Sequence, residues 1–138
     1  MGTRRTAREN ALQMLYQWDL NHEDIRAVSA AFWEVHAASP EIMEFADELV
    51  AATVGQKDRI DRLIQTHAQH WRLERMETVD RNLLRLATAE LLLGNSAPPG
   101  VVINEAIEIA RRFSTAGSAE FVNGLLDSIR KDIEGSDQ

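Results

Sequence analysis

Apolar residues recur every three or four positions along nearly the whole chain, a spacing typical of amphipathic helices. No segment shows convincing strand-like alternation, and no internal repeat or low-complexity tract is present. The pattern predicts about seven helices, the first from Arg4 to Leu20 and the sixth from Val101 to Phe113. Short connections between them indicate an all-α protein built as a compact bundle.

Residues that favour caps and breaks divide these helices from one another. They are Asn21, Ser39 and Thr78 as N-caps, Gly55 and Gly94 as C-terminal stops, Pro98-Pro99-Gly100 as a break, and Ser118 near the start of the seventh helix. The apolar stripes predict which side chains are buried. Among these are Trp18 in the first helix, Val35 in the second and Trp71 in the fourth.

The length of 138 residues predicts a single domain spanning residues 1–138, with 134–138 as a frayed tail. The chain has no cysteine, which excludes disulfides, thiolate metal sites and a cysteine nucleophile, and fits a reducing compartment. No apolar run approaches the ~18 residues of a membrane span, and no apolar signal core follows the first arginines. We therefore expect a cytoplasmic protein without membrane contact.

The charge is distributed unevenly along the chain. The net charge of −7 opposes general nucleic-acid binding. The first eight residues nevertheless hold Arg4, Arg5 and Arg8 and no acid (+3), whereas the other 130 carry 12 basic and 22 acidic side chains (−10). A basic end on an acidic body indicates a local anion site, and a solvated amino-terminal arm is the alternative.

The first helix carries a candidate site for single-stranded RNA. At about 100° per residue, Arg5, Arg8, Leu12 and Tyr16 share a flank beside the buried stripe, with Arg4 at the edge of that stripe. Arginine forks match phosphate oxygens and stack on bases, and a tyrosine ring stacks on an unpaired base. The alternative is that Tyr16 is a half-buried core residue and the arginines are merely solvated.

The seventh helix carries a second unusual feature. Asn123-Gly124 interrupts an apolar run, and Phe121 opens the helix after the polar loop 114–118. If the last two helices pack beside the first, this loop and Phe121 extend the arginine surface. The alternative places Phe121 in the core, where aromatic residues are more common.

No pattern in the chain indicates an enzyme. Neither a phosphate-binding G-x-x-x-x-G-K-[ST] loop nor a G-x-S-x-G elbow is present, and the paired acids fit solvated helix faces. His67 and His70 have helical spacing but only Glu74 nearby as a third ligand, so we expect no metal site and no cofactor.

Three segments together resemble the NusB family of bacterial transcription antitermination factors. They are Arg4–Glu9 with Ala11–Tyr16, Val79–Arg81 with Leu84–Ala87, and Ile103–Ala106 continuing through Phe121–Asp127. The match covers essentially the whole chain in order. Two positions depart from the family pattern, Ala89 where an aromatic is frequent and Gly117 where an acid is frequent.

The resemblance implies two helical subdomains, formed by the first three and the last four helices. It also implies a heterodimer with NusE, a small-subunit ribosomal protein, that binds the single-stranded boxA element of nascent ribosomal RNA. That complex joins RNA polymerase and other Nus factors and suppresses premature termination, without catalysis. By motif match, the RNA surface includes Arg4, Arg5, Arg8, Tyr16, Gly117 and Phe121, and the NusE surface includes Glu74, Asp80 and Arg85.

Two other functions stay open from the sequence. A NusB-like helical domain also serves as the RNA-docking module of RNA cytosine methyltransferases, but these 138 residues contain no Rossmann-type half and no glycine fingerprint. The chain also fits a helical interaction scaffold or homodimer, since NusB-like proteins form homodimers that cover the RNA face.

Overall fold

The computed structural model describes residues 2–136, which fold into seven α-helices and one short 3₁₀ turn, with no strand in that range. The helices are α1 (Thr3–Asn21), α2 (Ile25–Val35), α3 (Pro40–Gly55), α4 (Lys57–His67), α5 (Thr78–Leu93), α6 (Pro99–Phe113) and α7 (Ser118–Ser136), and the turn is Leu73–Arg75. The all-α prediction is confirmed. No helix within 2–136 is long and apolar enough to cross a bilayer.

The fifth helix forms the centre of the bundle. It packs against α1, α3, α4, α6 and α7, and every residue from Asn82 to Leu91 is buried. A helix that is buried on all sides must be covered by neighbours on all sides, so α5 organises the fold. Its surroundings form one continuous apolar core that includes Met14 and Leu15 of α1, Leu49 of α3 and Leu126 of α7.

Three predicted helix boundaries are confirmed. The Ser39 hydroxyl accepts a hydrogen bond from the Ile42 amide at 3.3 Å, and Pro40 occupies the first turn of α3. Gly55 is the last residue of α3. Gly94 follows α5 with a φ of 70°, the left-handed conformation that glycine adopts without steric cost.

Two predicted caps are wrong. Asn21 belongs to α1, because the chain turns only at His22, which has a φ of 54°, and Asp24 caps α2 by accepting from the Arg26 amide at 2.9 Å. Thr78 lies inside α5 as its first residue, and no side chain caps that helix.

Two predicted core residues lie on the surface. Val35 is the last residue of α2 and is exposed. Trp71 is 60% exposed, because α4 ends at His67 and the helical stripe that would have buried Trp71 does not continue. The predicted tail is helical through Ser136, and residues 137–138 lie outside the described range. The division into two subdomains stays a prediction, since α1 packs against both α3 and α5.

Candidate nucleic-acid interface

The Arg8 side chain lies inside the bundle. Its Nε and one terminal nitrogen donate to the two carboxylate oxygens of Glu90 on α5, at 2.8 and 2.6 Å, and the side chains are only 5% and 1% exposed. The Ser96 hydroxyl also donates to Glu90, at 2.6 Å. The predicted contact of Arg8 with phosphate stays a prediction, and it would require Glu90 to release the guanidinium, because α5 covers the flank of α1 that a single-helix projection leaves open.

The other two predicted arginines lie at the surface. Arg4 is exposed, with its guanidinium 4.6 Å from the centre of the Phe45 ring and donating to the Ser96 carbonyl. Arg5 is partly exposed, and its Nε donates to Glu105 on α6 at 2.6 Å. This hydrogen bond and the charge of Glu105 raise the pKa of Arg5 above its usual value. Arg5 therefore stays charged and uses only one of its three nitrogens in the described contacts.

A third surface arginine escaped the sequence analysis. Arg112 on α6 donates to both carboxylate oxygens of Glu9, at 3.1 and 2.9 Å. Its side chain remains 54% exposed and lies over the Phe113 ring, 5.1 Å from the ring centre. The sequence did hold a signal for this residue. Arg5 and Glu9 of α1 are opposite in charge to Glu105 and Arg112 of α6, so the two helices can form two ion pairs.

Tyr16 lies on the surface next to these charges, with 39% of its area exposed. It lines an open groove of about 430 Å³ together with Leu20, His36, Val79 and Phe113. Tyr16 and Phe113 are both exposed aromatic residues in this groove. An unpaired base has a flat apolar face, which exposed aromatic rings bind by stacking.

The Asp80 carboxylate is buried under the loop between α6 and α7. One oxygen accepts from the Ser114 hydroxyl at 2.7 Å and the other from the Ser118 hydroxyl at 2.8 Å. These bonds fasten the loop to the start of α5. The predicted contact of Asp80 with a protein partner stays a prediction, and it would require these bonds to open, because both oxygens are used within the chain and the residue is buried.

Arg85 is also internal. It donates to Asp61 of α4 at 2.8 and 3.2 Å and lies 3.1 Å from Asp19 of α1. Burial alone would raise the pKa of Asp19, but hydrogen bonds from Arg81 and Asn82 and the nearby arginine charges hold that pKa below its usual value. Arg85 therefore joins α1, α4 and α5, and its predicted place on a partner surface stays a prediction that would require these ion pairs to open.

Of the three residues predicted for the partner surface, only Glu74 is exposed. It lies in the 3₁₀ turn, and its backbone carbonyl accepts from Arg81 at 3.3 Å. Its carboxylate makes no described contact with the rest of the chain, so it is accessible to a partner.

Gly117 and Phe121 line a second hollow of about 300 Å³. Gly117 is exposed, with open space where a side chain would begin, and Phe121 is half-buried. Trp71 contacts Phe121 edge to face, with ring centres 6.2 Å apart. The hollow and the groove beside Tyr16 are lined by neighbouring parts of the chain, since Val79 and Phe113 line the groove whereas Asp80 and Thr115 line the hollow.

The histidines make no metal centre in the described part of the chain. His67 bonds to Asp132 across the bundle at 2.9 Å rather than pairing with His70. No group of three or more metal-ligating side chains occurs among residues 2–136. What the surface offers is guanidinium groups and aromatic rings, which bind anions and bases.

Comparison with known proteins gives a consistent result. Residues 5–131 match the sequence profile of the NusB family. The transcription antitermination protein NusB of Koribacter versatilis is 46% identical over 134 residues, covering 96% of this chain and 92% of that protein. Among solved structures, NusB of T. maritima has a TM-score of 0.85 at 37% identity, covering 94% of this chain and 91% of that one. A crystal structure of antitermination factors NusB and NusE in complex with double-stranded RNA has a TM-score of 0.87 at 32% identity, covering 96% and 98%.

Proposed function

The chain belongs to the NusB family of transcription antitermination proteins, and we propose that it binds the single-stranded boxA element of nascent ribosomal RNA together with NusE. In this role it joins RNA polymerase and other Nus factors and suppresses premature termination. The prediction that it is not an enzyme is confirmed by the family, whose members are named as antitermination proteins. The relatives are matched over nearly their whole length, which favours this function over a methyltransferase docking module.

The observation that carries the proposal is a surface on which arginines and aromatic rings lie side by side. Arg5 and Arg112 line the contact between α1 and α6, and Tyr16, Phe113 and Phe121 continue the surface toward α7. Guanidinium groups bind phosphate oxygens, and aromatic rings bind unstacked bases. A surface that offers both favours single-stranded RNA over a duplex, whose bases are already stacked.

The carboxylates beside these arginines determine how strongly the surface binds. Glu105 holds Arg5 through one nitrogen, and Glu9 holds Arg112 through one nitrogen, so each guanidinium keeps further donors for a phosphate. The pairing orders the arginines before RNA arrives, which lowers the entropic cost of binding. It also offsets their charge, so we infer weak binding by the chain alone.

Because Glu9 and Glu105 partly neutralise the arginines, a second subunit such as NusE is needed to strengthen RNA binding. A protein with a net charge of −7 repels RNA at long range, and a second subunit that adds phosphate contacts raises the affinity of the complex. The crystal structure of related factors NusB and NusE in complex with double-stranded RNA supports NusE and RNA as partners. On the present chain, Glu74 is the exposed candidate contact for NusE, whereas the buried Asp80 and Arg85 reach a partner only if their bonds within the chain open.

Titrations of boxA RNA, a scrambled RNA and a boxA duplex, each with and without NusE, test the proposal. We expect tightest binding to single-stranded boxA with NusE present, and weaker binding as salt rises because phosphate contacts release counterions. Arg112→Ala is expected to reduce affinity for every RNA and to lower the salt slope by about 1. Arg26→Ala is the matched control, since Arg26 is exposed on α2 and Asp24 is the one acid close to it among residues 2–136.

Two results would contradict the proposal. The first is equal affinity for boxA, scrambled RNA and duplex with NusE present, which would leave no recognition of unpaired bases. The second is an equal effect of Arg112→Ala and Arg26→Ala, which would show that only the overall charge matters.

A further inference from the structure

We propose that Trp71 and Phe121 together form a binding site for one unstacked base of the RNA. The proposal rests on the proposed function and adds to it a recognition residue on the segment after α4. Trp71 is a large aromatic residue that is 60% exposed, and it contacts Phe121 with ring centres 6.2 Å apart and planes at 77°. Burying an indole ring is favourable, so an exposed one that lies beside a second ring offers a surface for binding.

The position of Trp71 is held by hydrogen bonds from Gln65. The Gln65 amide nitrogen donates to the carbonyls of Ala68 and Trp71, at 3.1 and 2.8 Å. Its oxygen accepts from the Leu73 amide at 2.9 Å. One side chain therefore fixes the backbone on both sides of Trp71 and places its ring against Phe121, which reduces the cost of binding.

The geometry of the two rings sets what they bind. Two rings at 77° make a corner rather than a parallel slot, so a base stacks on one ring and meets the other at its edge. The hollow of about 300 Å³ is at the small end of ligand sites and holds one base rather than several. Gly117 adds no side chain to this space, and the Asp80 carboxylate on its floor is held by two serine hydroxyls.

RNA is favoured over a protein ligand because of where the hollow lies. The loop that directly follows Arg112 and Phe113 forms its wall through Thr115 and Gly117, and Phe113 itself lines the groove that holds Tyr16. A strand whose phosphates contact Arg112 thus has an aromatic corner beside it for a base. Stacking of this kind accepts any base, so Trp71 contributes affinity and a preference for unpaired RNA rather than sequence readout.

Tryptophan fluorescence and RNA affinity together test this site. Trp18 and Trp33 are half-buried, so Trp71 is the most exposed of the three tryptophans. With a short boxA RNA and NusE present, we expect RNA to quench the emission of the unaltered chain. The quenching disappears in Trp71→Phe, which keeps a stacking ring and most of the affinity, whereas Trp71→Ala loses about tenfold in affinity.

RNAs with single abasic positions locate the base. At one position, loss of the base should weaken binding to the unaltered chain by about tenfold and have little effect on Trp71→Ala, because the same contact is already missing. Gln65→Leu should reduce the quenching while Trp71 is still present, since the ring is no longer held in place. Circular dichroism and urea unfolding of each variant confirm that the fold is retained.

The possible results separate this site from the proposed function. If Arg112→Ala weakens RNA binding but Trp71→Ala does not and no quenching occurs, the base site is overturned and the proposed function stands. If Trp71→Ala weakens NusE binding in the absence of RNA and leaves RNA affinity intact, Trp71 is a protein contact and the base site is overturned. If the unaltered chain with NusE binds no boxA RNA, both proposals fail.

Discussion

Replacing Arg8 with alanine distinguishes a structural arginine from an RNA-binding one. Arg8 is bound to Glu90 through two hydrogen bonds, and the Glu90 side chain is 1% exposed. In Arg8→Ala, this carboxylate keeps only the Ser96 hydroxyl among its described partners. We therefore expect a large loss of stability and little direct effect on RNA affinity.

The magnitude follows from the burial of both charges. Removing one partner of a buried ion pair costs about 3–5 kcal/mol, because the other charge stays in a medium of low polarity without compensation. A domain of this size has a free energy of unfolding of about 5–15 kcal/mol, so the loss is a large share of the total. The midpoint of thermal unfolding should fall by roughly 10–20 °C.

Urea unfolding and RNA titration of the same protein samples make the measurement. The titration with boxA RNA and NusE is carried out at low temperature, where Arg8→Ala is still folded, and its affinity should stay within about twofold of the unaltered chain, as for a residue that touches no ligand. The double variant Arg8→Met with Glu90→Leu is the control, because removing both charges and filling the space should recover most of the lost stability. Arg112→Ala is expected to show the reverse pattern, with weaker RNA binding and a nearly unchanged unfolding midpoint.

The opposite outcome would refute this reasoning. If Arg8 reached RNA, Arg8→Ala would keep its stability and lose about 1–3 kcal/mol of binding free energy. That result would mean that Glu90 releases Arg8 when RNA binds, and the buried ion pair would no longer describe the working state of the protein.

Three further predictions concern Asp19, Asp80 and Gly117. The pKa of Asp19 is held below its usual 3.8 in the folded state, so the charge of Asp19 stabilises the fold above pH 3.8, and this contribution is lost as the pH falls through the folded pKa. Asp19→Asn should therefore lower the free energy of unfolding by about 1–3 kcal/mol at neutral pH and by nearly nothing at the acid limit. Urea unfolding of both proteins across this pH range measures the difference. Asp80→Ala leaves the hydroxyls of Ser114 and Ser118 without their acceptor, so amide hydrogen exchange should rise in loop 114–118, and unchanged protection would show that Asp80 does not fasten it. Gly117→Asp should fold normally, since no atom lies within 4 Å of the position that the new side chain would take. Its carboxylate should repel phosphate and weaken boxA binding. Gly55→Asp, at an equally open position, is the control in the same titration and should leave the affinity unchanged.

The helices were predictable because the information that forms them is local. Apolar spacing, the Ser39 cap and the glycine at position 94 each act within a few residues, so the all-α fold and most boundaries follow from the sequence. The predicted helix boundaries were wrong where the helix ends at a turn that no glycine, proline or capping residue indicates. Trp71 was assigned to the core because the stripe of α4 was extended past His67, and that extension removed the most exposed tryptophan from the candidate site.

The sequence predicted which kinds of residue form the candidate site, arginines and aromatic residues, but not which individual side chains lie at the surface. Arginines on the first helix and Phe121 on the last lie in the region of the surface that we propose binds RNA. Arg112 was missed because nothing near it in the chain marks it, and its carboxylate partner, Glu9, lies on another helix. Arg8 and Arg85 were assigned to binding surfaces because charged residues are usually exposed. The sequence does not show that other helices bury these two side chains.

Sequence by itself determined that this chain is helical, that it resembles the NusB family, and that Arg4, Arg5 and Arg8 lie on the first helix. Only the tertiary structure decided which of those arginines face solvent. Arg5 and Arg8 are one helical turn apart, yet Arg5 is open to solvent while Arg8 is enclosed with Glu90, a residue 82 positions away in the chain. A charged side chain is available to a ligand only when part of it reaches solvent, and whether it does so is determined by the packing of helices that are distant in sequence.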